Sequence, residues 1–147
     1  MGDFRYFLRV RYGECDAQKV VFNARYGDYT DLAVTEYLRA LGFGEGLVDG
    51  SFDYQLVRQT TEWKSPARFD DVIEVRVHGL QVGTSSFTIA CEFRRAGEDA
   101  LLARSETVYV MIDANGKKPV PGPVREAVLA GIAARVDHAG WLASSSR

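Results

Sequence analysis

The fold is decided by residues 4–41, FRYFLRVRYGECDAQKVVFNARYGDYTDLAVTEYLRAL, where the spacing of the apolar residues changes. From Phe4 to Tyr12 large apolar residues occupy every second position, which predicts a β-strand. From Phe22 to Leu41 they recur every three or four residues, which predicts an amphipathic helix about five turns long. Asn23 is a suitable N-cap for this helix, and Gly42 follows it as a stop signal.

Alternation returns after the glycine-rich segment 42–50, which we interpret as a loop. Four strand-like segments follow: 52–64, 72–80, 87–94 and 101–112. A last helix is expected after Pro121-Gly-Pro123, with its apolar side running from Val124 to Val136. Short turns between successive strands favour an antiparallel sheet, and a long apolar helix most simply packs across one face of it. The sequence therefore predicts an α+β fold, a long helix wrapped by a curved antiparallel sheet of about five strands plus a C-terminal helix.

Composition is that of an ordinary globular protein, with 147 residues, 46% hydrophobic and 26% charged. The formal charge of −2 argues against nucleic-acid binding, and no apolar run approaches the ~20 residues of a membrane helix. We expect one domain over residues 1–143 and a disordered tail over 144–147. Two cysteines give no disulfide framework, which fits the cytoplasm, and two histidines far apart in sequence predict no metal site.

The chemically suggestive segment is the acidic loop before the long helix. Asp16 lies a few residues before the helix start, where unpaired backbone N–H groups and the helix dipole can hold a carbonyl oxygen. Such donors stabilise an oxyanion by roughly 3–4 kcal/mol each in studied enzymes. A carboxylate there can attack the carbonyl carbon or deprotonate a water, although a loop or capping role is commoner for an aspartate so placed.

The neighbouring side chains carry weaker signals. Glu14 is expected to be a solvated loop acid, and Cys15 a small apolar group, because no histidine is near it in sequence. Tyr26 is the tyrosine of the helix stripe nearest the acidic loop, so it is the one best placed to contact a ligand. Lys64 and Arg68 have the charge to meet phosphates, although such charges usually solvate a surface.

The segment from Glu14 to Tyr26, followed by the helix with Thr35-Glu-Tyr-Leu-Arg39, resembles the hotdog-fold acyl-CoA thioesterases. Within these it is similar to the 4-hydroxybenzoyl-CoA thioesterase family and its short bacterial members, which include the Tol–Pal-cluster type. Residues 63–71, WKSPARFDD, and 83–87, GTSSF, also match the family pattern. The likeness covers most of the chain, from residue 4 to residue 135.

The resemblance implies an acyl-CoA thioesterase, which converts an acyl-CoA and water into a carboxylic acid and free CoA. It implies that Asp16 is the catalytic carboxylate, as nucleophile or general base, and that the backbone amide of Asn23 polarises the thioester carbonyl. Five side chains are expected to contact the substrate: Phe22, Tyr26, Lys64, Ser65 and Arg68. It further implies a homodimer or homotetramer with the site between subunits. The expected reaction needs no cofactor, and the lack of a long apolar run predicts no membrane insertion.

Two positions depart from the family pattern. Lys19 stands where relatives usually carry glycine, so the lysine is expected either to alter the loop around Asp16 or to reach a substrate phosphate. Residues 83–85, Gly-Thr-Ser, are uncharged where some relatives hold the CoA nucleotide with a basic cluster. Nucleotide binding is therefore expected to come from Lys64 or Arg68, or to be weak.

The sequence leaves two other functions open. A hotdog dehydratase needs a histidine paired with a carboxylate, for which His78 is the internal candidate, although it is more simply a partly exposed strand residue. A non-catalytic module would bind acyl thioesters without turnover. CoA is preferred to an acyl carrier protein because the chain shows no strong basic patch. The acyl group stays open between aryl and medium aliphatic chains.

Overall fold

A computed structural model describes residues 3–145, which form a single sheet and four α-helices. The strands are β1 Phe4–Arg9, β2 Tyr54–Trp63, β3 Val72–Val82, β4 Ser86–Arg95, β5 Leu101–Asp113, β6 Gly116–Lys117 and β7 Ala134–Asp137. The helices are α1 Arg25–Leu38, α2 Gly44–Asp49, α3 Gly122–Ala130 and α4 Trp141–Ser145. Short turns of other helical types cover Tyr12–Glu14 and Arg39–Phe43.

The strand order across the sheet is β2-β5-β4-β3-β1-β7, and the two-residue β6 pairs with β5. Every pair is antiparallel except β1 with β7, which run parallel. The predicted fold class, a long helix against an antiparallel sheet, is confirmed. The short strands β6 and β7 are additions to the five strands that the sequence predicts.

The core forms where the apolar stripe of α1 meets the inner side of the sheet. Tyr26, Tyr29, Ala33 and Tyr37 are all buried along this stripe, as their spacing predicts. At the far end of the helix the rings of Phe4 and Tyr37 meet edge to face, with centroids 5.4 Å apart. The stripe therefore fixes which face of α1 packs on the sheet and leaves its first turn beside the acidic loop.

Both elements of the first segment are shorter than the sequence predicts. Strand β1 ends at Arg9, and Tyr12 lies exposed in the following turn rather than in the strand. Helix α1 begins at Arg25 rather than Phe22, and its N-cap is Ala24, so the prediction of Asn23 as N-cap is wrong. Residues 22–24 make a turn before the helix instead.

Predictions for segments after α1 also need correction. The segment 42–50 is not only loop, because α2 occupies most of it after Gly42 adopts a φ of 106°. The last helix ends at Ala130, since Gly131 has a φ of 70°, and Val136 belongs to β7. Of the predicted tail 144–147, the first two residues close α4, and the last two lie outside the described residues.

Candidate active site

Residues 14–22 form a short β-hairpin in front of α1, where the sequence predicts a loop. Its outer rung is the N–H of Phe22, which donates to the carbonyl oxygen of Glu14 at 3.0 Å. Its inner rung is the N–H of Asp16, which donates to the carbonyl oxygen of Val20 at 3.0 Å. Asp16 and the start of α1 therefore lie at the ends of opposite arms of one hairpin, and these two backbone hydrogen bonds fix the separation of the arms.

Asp16 opens the turn of this hairpin. Its carbonyl oxygen accepts the N–H of Lys19 at 2.9 Å, and its Oδ1 accepts the N–H of Gln18 at 2.8 Å. The second contact is an Asx turn, the ordinary structural role of a loop aspartate. Lys19 has a left-handed backbone with a φ of 64°, the conformation that favours the glycine of the family pattern.

The turn 22–24 leads the second arm of the hairpin into α1. The N–H groups of Arg25 and Tyr26 donate to the carbonyl oxygens of Phe22 and Asn23 at 2.8 and 3.2 Å. Within residues 3–145, no backbone or side-chain acceptor pairs with the N–H of Asn23. A free N–H at the start of a helix is the kind of donor that an oxyanion needs.

A cleft of about 390 Å³ lies between this hairpin and the end of β2. It is lined by Asp16, Val20, Val21, Phe22, Asn23, Tyr26, Trp63, Lys64, Ser65 and Pro66. Six of the seven residues predicted for the site are thus brought together. Arg68 is the exception, because it pairs with Val20 through the backbone and donates its N–H to Asp71 at 2.8 Å, outside the cleft lining.

The inner wall of the cleft is aromatic. The ring of Tyr26 is buried and meets Tyr29, Trp63 and Phe93 edge-on, with ring centroids 5.7, 6.4 and 5.3 Å apart. Burial raises the pKa of the Tyr26 hydroxyl above its ordinary value, so the group is a neutral phenol near pH 7. On the opposite side Phe22 is 56% exposed, an apolar side chain available to a ligand.

Lys64 and Ser65 are held at the rim of the cleft by backbone bonds. Their N–H groups both donate to the carbonyl oxygen of Leu102 on β5, at 2.7 and 3.1 Å. Both side chains are exposed where β2 ends. The ammonium group of Lys64 is the cation among the cleft-lining residues and is free to meet an anionic part of a ligand.

Glu14 is the residue that sequence reasoning misjudged, because it is buried rather than solvated, with 7% of its surface exposed. Its carboxylate accepts the hydroxyl of Tyr29 at 2.9 Å and the backbone N–H of Arg11 at 2.8 Å. The Arg11 guanidinium adds two bonds at 3.0 and 2.8 Å. Burial alone would raise the pKa of Glu14, but the bonds from Arg11 and Tyr29 hold it below the ordinary value.

The remaining candidates for chemistry lie away from the cleft. Burial, followed by the charges of Glu14 and Asp16, raises the pKa of the Cys15 thiol, which makes it less reactive. His78 pairs with Ala90 across β3 and β4, and the ring of His138 bonds the hydroxyl of Tyr6 at 2.8 Å. Among the described residues there is no cluster of ligands for a metal ion and no helix able to cross a membrane.

Comparison with known proteins gives one family. The model of the thioesterase-like superfamily matches residues 10–132. The acyl-CoA thioester hydrolase YbgC of Escherichia coli is 31% identical over 117 residues, which cover 79% of this chain and 87% of that protein.

Two solved structures are similar over most of the chain. One, a gentisyl-coenzyme A thioesterase, has a TM-score of 0.74 and 29% identity, and the match covers 84% of this chain and 98% of that one. The other, a 1,4-dihydroxy-2-naphthoyl-CoA thioesterase from Synechocystis, has a TM-score of 0.76 and 25% identity, with 86% and 96% covered.

Proposed function

The chain belongs to the thioesterase-like superfamily, and on that premise we propose that it hydrolyses acyl-CoA thioesters in the cleft beside α1. One observation carries the proposal. Asp16 in the hairpin turn and Asn23 just after the hairpin line the same cleft, and the N–H of Asn23 has no acceptor among residues 3–145. A carboxyl group and a backbone donor in one cleft are the two groups that thioester hydrolysis needs.

In the proposed reaction the carbonyl carbon of the thioester is attacked by Asp16 or by a water that Asp16 deprotonates. The carbonyl electron pair moves onto oxygen, and the N–H of Asn23 donates to the resulting oxyanion. Collapse restores the C=O bond and breaks the C–S bond, and the CoA thiolate leaves and takes up a proton. Direct attack forms a mixed anhydride with Asp16, which water then hydrolyses, whereas the water route gives the acid in one step.

The cleft walls support an assignment of the two ends of the substrate. The aromatic wall around Tyr26 and Trp63, together with exposed Phe22, suits an aryl acyl group through edge and face contacts between rings. The names of both structural neighbours give aryl acyl groups for those proteins. Lys64 and Ser65 at the rim are proposed to meet the CoA portion. Arg68 lies outside the cleft lining, so a role for it depends on the CoA nucleotide extending beyond the rim.

A second copy of the chain is part of the proposal. Strand β2 pairs with β5 on one side, and no described strand pairs with its other edge. Leu56 and Val57 are exposed on this ten-residue strand, and a long apolar edge is normally covered by pairing. Because β2 ends at Trp63 in the cleft, a copy paired along this edge would help to enclose the substrate. The mass of the protein in solution tests for a homodimer or homotetramer.

Two finer assignments accompany this function. We place the chain with the 4-hydroxybenzoyl-CoA thioesterases, in keeping with the motif from Glu14 to Tyr26 and the aromatic cleft wall. We place it in the cytoplasm, where thiols stay reduced, since Cys15 and Cys91 are both free. Localisation of the tagged protein in fractionated cells tests the second assignment.

The function is tested by incubating the purified protein with benzoyl-CoA, gentisyl-CoA and hexanoyl-CoA in the presence of a thiol reagent. Release of free thiol is expected, fastest with the aryl substrates. Tight binding of all three without any release would overturn hydrolysis and leave a binding module. In a single turnover in ¹⁸O-labelled water, label recovered in the Asp16 carboxylate identifies direct attack, with water opening the mixed anhydride at the aspartyl carbonyl.

A further inference from the structure

Glu14 is a buried carboxylate that the proposed reaction does not use. It accepts four hydrogen bonds, three from Arg11 and one from Tyr29, and it is absent from the cleft lining. A buried charge is costly unless it is paired and fully hydrogen-bonded, so this degree of pairing explains how an ionised acid is kept inside the protein. What the arrangement achieves depends on what the three residues connect.

The three residues connect the base of the hairpin to the helix. Arg11 precedes the hairpin, Glu14 begins its first arm, and Tyr29 lies one turn into α1. The carbonyl oxygen of Glu14 also accepts a hydrogen bond from the N–H of Phe22, at the open end of the hairpin. A single residue therefore ties the first arm to the second arm through its backbone and to the helix through its side chain.

We propose that Glu14 is a positioning residue that sets the carboxylate of Asp16 against the N–H of Asn23. Asp16 lies two residues beyond Glu14 on the first arm, and Asn23 directly follows Phe22 on the second arm. The hydrogen bond between Glu14 and Phe22 therefore joins the two chain segments that carry Asp16 and Asn23. This inference rests on the proposed function, since it concerns the geometry of that reaction centre.

The hairpin needs such an anchor for its first arm, because only the second arm bonds to residues 67–69. The N–H of Val21 donates to the carbonyl oxygen of Ala67 at 2.8 Å, and the N–H of Phe69 donates to the carbonyl oxygen of Lys19 at 3.1 Å. The hairpin turn is closed by the left-handed Lys19 and by the local Asx contact of Asp16, and the first arm is joined to the second by isolated pairing rather than by the main sheet. A misplacement of about 1 Å at a reaction centre can cost 10²-fold in rate. A small shift of the first arm is therefore expected to change turnover before it changes substrate binding.

The principal test is Glu14→Gln, which keeps the size of the side chain and one acceptor oxygen but presents an amide to the Arg11 guanidinium. We expect kcat for the best aryl-CoA to fall about tenfold or more, with KM within twofold of wild type, because Glu14 does not line the cleft. Asp137→Asn is the matched control. Asp137 also accepts several backbone N–H groups, at the start of α4, and its loss is expected to leave kcat unchanged.

A second variant keeps the test usable if Glu14→Gln folds poorly. Tyr29→Phe removes one bond to Glu14 and is expected to lower kcat severalfold. Tyr37→Phe is its control, because Tyr37 is equally buried on the same helix and donates to the carbonyl oxygen of Val128 at 3.2 Å, far from the hairpin. If both residues act through one bond, the double variant at Glu14 and Tyr29 has a kcat no lower than that of Glu14→Gln alone.

The outcomes separate this inference from the proposed function. Absence of turnover by the wild type with every acyl-CoA would refute the hydrolase and this inference with it. Wild-type turnover together with an undiminished kcat in Glu14→Gln or Tyr29→Phe would refute only the positioning role. Equal losses in Tyr29→Phe and Tyr37→Phe would also refute it, because they would show a general effect of helix packing.

Discussion

The two ends of α1 are built from different interactions. At its far end Tyr37 and Phe4 meet edge to face in the core, and farther along the core Phe87 stacks on Tyr109 with centroids 5.2 Å apart. At its near end the helix meets a hairpin held by single backbone bonds, an Asx turn and one buried carboxylate. If the proposed site is correct, stability and chemistry are carried by separate parts of this chain and can be changed separately.

Two phenylalanines give the largest expected contrast. Phe87 is fully buried, so Phe87→Ala is expected to lower the free energy of unfolding by about 3–5 kcal/mol. Phe22 is more than half exposed, so Phe22→Ala is expected to change it by about 0.5 kcal/mol or less and to raise KM for aryl-CoA instead. Urea denaturation and steady-state kinetics on both variants check this. A Phe22→Ala variant that is destabilised but keeps a normal KM would contradict this separation of stability from chemistry.

Sequence periodicity could predict the far end of α1 and the positions of most strands. The buried residues at this end of α1 follow the helical spacing. Tyr29, Ala33 and Tyr37 keep the helical spacing, and they are buried. The bounds of strands β2 to β5 differ from the predicted ones by two residues or fewer. Packing against a continuous sheet makes these positions agree with local patterns.

The near end could be predicted only in part. The motif identified Asp16, Asn23 and Tyr26, and the structure brings them into one cleft. The burial of Glu14 could not be foreseen, because its partner Tyr29 lies fifteen residues along the chain on another element. The helix start moved for a similar reason, since the turn 22–24 is set by pairing with the hairpin rather than by a side-chain cap.

A smaller effect is expected at the hairpin turn. Lys19→Gly is expected to raise the free energy of unfolding by about 1 kcal/mol, because a left-handed backbone is strained for lysine and not for glycine. Lys118→Gly is the control, since Lys118 is not among the residues with a positive φ and glycine there is expected to destabilise. Thermal unfolding of both variants measures the difference. A loss of stability in Lys19→Gly would show that its side chain has contacts of its own.

The smallest effect is expected in acid. The pKa of Glu14 is lower in the folded protein than its ordinary value near 4.5, so the unfolded chain binds more protons and stability falls as the pH drops below that value. Glu14→Gln removes this contribution, and its stability is expected to depend less on pH in that range. Urea midpoints between pH 5 and pH 3, a range chosen around the ordinary glutamate pKa, provide the measurement. Equal slopes for the two proteins would show that Glu14 is not specially stabilised.

The most direct test of the reaction centre is the turnover number of Asp16→Asn with the best aryl-CoA. The asparagine oxygen can still accept the N–H of Gln18, so the hairpin turn is preserved while the carboxyl group is lost. We predict a kcat roughly 10³-fold below wild type with an unchanged unfolding midpoint. Asp28→Asn, an exposed change in the first turn of α1, should keep full activity. A kcat for Asp16→Asn within a few-fold of wild type would contradict the account.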